Sequence, residues 1–110
     1  MPEDSLQLLP GTLYMLIPRT LAGGPMHGYA IARRIKQCSA GVLEVEEGWL
    51  YPALNRMLVK GWLKAEWGMS ETNRKARYYR LTREGRKQLE AEAEEFGKLI
   101  AVIQLVMKRA

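Results

Sequence analysis

One cysteine and one histidine in 110 residues leave several kinds of chemistry without material. Cys38 alone cannot close an intramolecular disulfide, so a reducing cytoplasm is the expected setting, with the thiol read as a small core residue. His27 alone cannot supply the paired-histidine or Cys-His spacings of a zinc site, and is read as a helix cap or a phosphate contact. No apolar run approaches the roughly 20 residues that cross a bilayer, and Met1-Pro2-Glu3-Asp4 has no basic leader, so neither export nor a membrane partner is expected. A glycine-rich phosphate loop, a nucleophile elbow and an isolated acid–base pair are all lacking. Neither an enzyme nor a cofactor is therefore expected.

What is present has the balance of a folded globular chain, with 47% hydrophobic and 26% charged residues, and the length suits one domain over residues 1–110. Seventeen Lys and Arg against twelve Asp and Glu give a net charge of +5, an excess that favours a polyanionic partner.

Hydrophobic spacing organises the chain. Leu6, Leu9, Leu13, Leu16, Ile17 and Leu21 recur at helical intervals, giving a first helix in which Pro18 should kink or end the regular ladder. Gly23-Gly24-Pro25 then launches a second helix at about His27, with Ile31, Ala32, Ile35 and Cys38 on its apolar side. After an extended connector at Val42 to Val45, three carboxylates (Glu44, Glu46, Glu47) favour the start of a third helix. Its stripe is Leu50, Leu54, Met57 and Leu58. Pro52 should tighten the first turn, and Gly61 should close the helix.

Beyond Gly61 the period changes to two. Strands are expected around Leu63–Trp67 and Arg77–Leu81, with Gly68 to Ala76 as a long hairpin loop. Thr82 is a natural N-cap for a last helix from Arg83 to about Lys108. There Leu89, Ala93, Phe96, Ile100, Ile103 and Met107 alternate at spacings of four and three, widened toward the end by Leu99, Val102 and Val106. A helix of about 26 residues spans roughly 39 Å, more than one side of so small a body covers, so part of this stripe should meet another chain. The fold expected is mainly α (α+β): a winged helix-turn-helix with a two-stranded wing and a long C-terminal dimerisation helix. Residues 6–82 form the DNA-binding region and 83–110 the dimerisation helix.

Charge is concentrated. Between Arg74 and Lys87 stand seven bases (Arg74, Lys75, Arg77, Arg80, Arg83, Arg86, Lys87) and one acid (Glu84), whereas Glu90 to Glu95 carries only acids. A basic hairpin on a separate scaffold suits phosphate binding, although the same bases could pair with the neighbouring acids. On the third helix, Pro52, Asn55, Arg56 and Val59 face away from the apolar stripe, with Trp49, Tyr51 and Lys60 at the margins. Asn and Arg suit base edges in the major groove, and Tyr51 and Lys60 suit phosphates. Tyr29 is open between the core and the DNA backbone.

The blocks Gly24-Pro25-Met26-His27-Gly28-Tyr29, Leu43-Glu44-Val45-Glu46-Glu47-Gly48, Leu50-Tyr51-Pro52-Ala53-Leu54, and Ala76-Arg77-Tyr78-Tyr79 with Leu81-Thr82 and Gly85 together resemble the PadR family. The resemblance covers roughly residues 8 to 90 and is closest to the short subfamily with one C-terminal helix. It implies a cytoplasmic transcriptional repressor without cofactor, a homodimer held by the N- and C-terminal helices, and double-stranded DNA bound at inverted repeats. The implied DNA contacts include Tyr29, Tyr51 and its neighbours, Arg74, Lys75 and Arg77. Trp49 stands where relatives carry a small residue. Some short relatives hold flat aromatic compounds between tryptophans of paired C-terminal helices. Here that helix offers only Phe96, so an effector would be another small apolar ligand at the dimer interface. The rival reading is a winged-helix protein-interaction module that does not bind DNA.

Overall fold

The computed structural model describes residues 10–110. Leu6 and Leu9, read as the start of the first helix and, for Leu9, as a dimer contact, lie outside the described residues. A 3-10 turn at Pro10–Thr12 leads into α1 (Leu13–Leu21), followed by β1 (Met26–His27), α2 (Gly28–Cys38), α3 (Glu47–Val59), β2 (Leu63–Met69), β3 (Lys75–Leu81) and α4 (Arg83–Arg109). Leu13, Ile17, Ile31, Leu50, Leu54, Met57 and Leu63 are almost wholly buried, so α1, α2, α3 and the base of the hairpin share one core.

Pro18 does not end α1, which continues to Leu21. A proline inside a helix costs about 3 kcal/mol through the lost N–H bond and the clash of its ring with the preceding turn, whereas burying Ile17 and Leu21 contributes roughly 1.5–3 kcal/mol each, so packing carries the helix past the proline. The C-terminal ends of α2 and α3 are closed by the same device. After α2, the Ala40 N–H donates to the Gln37 carbonyl and the Gly41 N–H to the Lys36 carbonyl. After α3, the Gly61 N–H donates to the Leu58 carbonyl and the Trp62 N–H to the Met57 carbonyl. Gly61, at φ +78°, supplies the left-handed residue just past the α3 cap.

The sheet is antiparallel with order β1-β3-β2, so the expected two-stranded wing carries a third strand at its edge. The two residues of β1, with Met26 opposite Tyr79, are too few to show a period of two in sequence. The hairpin ladder is also longer than expected, running from Leu63↔Leu81 out to Met69↔Lys75. Gly68 holds in this ladder because the Tyr78 ring lies against it and the Tyr78 hydroxyl donates to the Met69 carbonyl at 3.0 Å. The residual turn closes with the Ser70 N–H on the Arg74 carbonyl and Asn73 at φ +60°.

Thr82 caps α4: its hydroxyl accepts from the Gly85 N–H at 3.0 Å and donates to the Gly61 carbonyl at 2.7 Å. Gly85 is sterically required, since a Cβ there would run into the Trp62 carbonyl and the Leu81 side chain. The first turns of α4 are thus fixed to the core, and Leu89 is buried in it. The rest of the helix projects. The radius of gyration, 15.4 Å, exceeds the roughly 13 Å of a compact chain of this length. Cys38, expected in the core, is exposed: it is the last residue of α2, where the buried face has already run out after Ile35.

Candidate nucleic-acid interface

α3 begins after Glu46 with a tightened turn, in which the Trp49 and Leu50 N–H groups both donate to the Glu46 carbonyl. Pro52, the sixth residue of α3, has no N–H to donate to the Gly48 carbonyl, and the helix continues past it to Val59. Leu50, Ala53, Leu54 and Met57 turn inward, leaving Pro52, Asn55, Arg56 and Val59 exposed as the wheel requires, with Val59 88% accessible. Tyr51 leans from α3 toward the N-terminus of α2. Its ring lies over Gly28, where any side chain would collide with the phenol. Burial, then the nearby Glu47 carboxylate and Tyr79, raise the Tyr51 phenol above its usual value, so its hydroxyl remains a neutral donor.

Beside Tyr51 lies an open cleft of about 300 Å³ whose walls come from three elements. The start of α2 contributes His27 and Tyr29, α3 contributes Tyr51, and the hairpin contributes Trp67, Arg74, Lys75 and Arg77. The His27 Nδ1 accepts from the Ala30 N–H at 3.2 Å, so this imidazole caps α2 at the rim of the cleft. Tyr29 is 63% exposed, which removes the core alternative, and the Arg33 guanidinium sits 5.5 Å from its ring centre. The Lys75 ammonium stands 5.5 Å from the Trp67 ring centre and the Arg77 guanidinium 5.9 Å from that of Tyr79. Among the described residues the ion pairs are Lys36–Glu44 and Lys98–Glu94, so neither takes up Arg74, Lys75 or Arg77. Exposed, unpaired bases interleaved with aromatic rings are a surface for phosphates and sugars.

The residues singled out in the sequence do not all converge. Tyr29, Tyr51, Arg74, Lys75 and Arg77 share the cleft, and Asn55 lies one turn beyond Tyr51 on the exposed face of α3. Trp49, Pro52 and Arg56 line a second hollow of about 320 Å³ with Leu13 and Tyr14, on the α1 side of α3. Lys60 lies over the Trp62 ring at the C-terminal end of α3. Sequence reasoning missed two contributors. Arg33 was available from its four-residue spacing to Tyr29. Trp67 was visible as an alternating residue, but nothing in the alternation says that the core ends before it.

The residues expected at a dimer interface also divide. Leu13 and Leu89 are buried in the protomer's own core, at 1% and 8% exposure. Ala93, Phe96, Leu99, Ile100, Ile103, Val106 and Met107 are exposed on the projecting part of α4, joined by Val102 and Leu105. Among the described residues no helix is long and apolar enough to cross a membrane.

Residues 17–91 match the model of the PadR-like family of transcriptional regulators. The structure is similar to that of a transcriptional regulator from Clostridium thermocellum, with 31% identity, 86% of this chain and 91% of that chain covered, and a TM-score of 0.78. A PadR family transcription regulator from Clostridium difficile is 29% identical over 88% of this chain and 99% of its own, with a TM-score of 0.75. A PadR family regulator from Eggerthella lenta is 28% identical over 91% of this chain and 85% of its own, with a TM-score of 0.77.

Proposed function

The chain belongs to the PadR-like family of transcriptional regulators, and from that premise we propose that it works as a homodimeric repressor on a palindromic operator. Residues 6–82 form the reading head and 83–110 the dimerisation helix. Two copies pair through the exposed stripe of α4 together with the N-terminal helix, which sets two α3 helices about one DNA turn, roughly 34 Å, apart. Each α3 presents Asn55 to base edges in the major groove, with Arg56 and Trp49 reaching the duplex from the α1 side of the helix and Lys60 from its C-terminal end. The cleft holds the adjacent backbone through Tyr29, Tyr51, Arg74, Lys75 and Arg77.

The observation that carries this reading is the cleft: hydroxyls from α2 and α3 and hairpin bases without an ion pair among the described residues open onto one concavity beside the exposed face of α3. Occupation of the operator would block transcription. A small apolar ligand seated in the dimer seam would release it by changing the angle between the heads, because a small rotation moves both out of register. Fluorescence anisotropy with a duplex from upstream of its own gene tests the proposal. Binding whose log K falls linearly with log salt is expected. Charge reversal of Arg74, Lys75 and Arg77 should remove affinity for every duplex. Binding that is absent, or indifferent to that reversal, would favour a protein-interaction module instead.

A further inference from the structure

The hairpin's register places Leu63, Ala65, Trp67 and Met69 on one face with their partners Leu81, Tyr79, Arg77 and Lys75. The inner part of that face is core: Leu63, Tyr79 and Leu81 are buried. The outer part leaves the core yet stays apolar, with Trp67 65% and Met69 60% exposed. On a solvated wing these two positions cost nothing to make polar, and the opposite face of the same strand does carry Lys64 and Glu66. Their cross-strand partners are Arg77 and Lys75, which no ion pair among the described residues neutralises, and Trp67 itself lines the basic cleft. An apolar surface bracketed by positive charge is complementary to the deoxyribose edge of a strand bracketed by phosphates, and less so to another apolar protein surface.

We infer that Trp67 and Met69 form an apolar ridge on the wing that packs against the sugars of the duplex between the phosphates held by Lys75 and Arg77. Side chains rather than the hairpin backbone reach into a minor groove only about 6 Å wide, and a flat indole edge is the shape that fits there. The ridge supplies a part of the affinity that does not depend on counterion release. It also makes the site sensitive to groove width at positions that α3 never touches. The inference rests on the DNA-binding reading above, and the two fail differently.

The test is fluorescence anisotropy of the full-length chain over a salt series, using a labelled duplex from upstream of its own gene and a labelled mixed-sequence duplex. Trp67→Ala should lose on the order of 10-fold in affinity with the salt slope unchanged, whereas Lys75→Ala should lower the slope by about 0.9 per half-site. Trp67→Phe, which keeps a flat apolar ring, should retain most of the affinity. Wild-type affinity in Trp67→Ala, or a slope lowered as for the lysine, would overturn the ridge and leave the DNA-binding reading standing. Absence of salt-dependent binding by the wild type would overturn both.

Discussion

The two parts of α4 carry one continuous apolar rhythm and meet different fates. Leu89, near the start of the stripe, is 8% exposed and belongs to the core, whereas Met107, near its end, is 79% exposed. The inner turns are pinned by the Thr82 cap and by Gly85 against the Trp62 carbonyl, and the outer turns have no such attachment. Periodicity therefore reports that a face wants covering but not what covers it. The inner part spends its apolar surface on folding, and under the proposed function the outer part spends it on a second copy.

Substitutions along the stripe separate these two uses. Ile103→Glu should have the largest effect: it places a carboxylate in the seam twice per dimer, so sedimentation should show a monomer of unchanged secondary structure. Its affinity for a two-half-site duplex should fall by on the order of 10²-fold or more as bivalency is lost. Leu89→Ala should act on folding instead, costing about 2–3 kcal/mol in a denaturant melt because a buried side chain leaves a partly relaxed cavity. A monomeric Leu89→Ala protein of normal stability would reverse the assignment of the two parts.

A third change reads neither part. Arg77→Ala should leave stability and dimerisation intact, weaken every duplex by roughly the same few-fold factor, and lower the salt slope by about 1 per half-site. Smallest of all is Lys36→Ala. The Lys36–Glu44 pair, 2.8 Å apart, raises the lysine and lowers the carboxyl from their ordinary values. The pair is solvent-exposed, so thermal melting at neutral pH should show no resolvable change. Any contribution from Glu44 is present above the unfolded carboxylate pKa and fades only as pH falls through its lowered folded value.

Much of the architecture was legible because it depends on local rules. The stripe of α3, the Thr82 cap and the period change after Gly61 each announce themselves within a few residues. What escaped depends on where the core stops. Cys38 and Ile35 lie on one helical stripe, yet only Ile35 is inside, and Trp67 continues the alternation of Leu63 beyond the last covering residue. Leu13 and Leu89 were assigned to an interface because a repeat does not say which of its members a protomer keeps for itself. In the candidate site, the basic run and Tyr51 could be found from residue types. That Trp49 and Arg56 open onto the α1 side, apart from the wing, follows only from how α3 is rotated against α1.

The claim on which all of this turns is that a pair of chains sets two basic clefts, each beside an exposed α3, on one duplex. The most direct measurement is the stoichiometry and salt dependence of the complex with the upstream duplex, taken together by titration under sedimentation and by anisotropy. Two chains per duplex, with log K falling steeply and linearly in log salt, is the expected result. One chain per duplex, or an affinity that salt does not change, would contradict it.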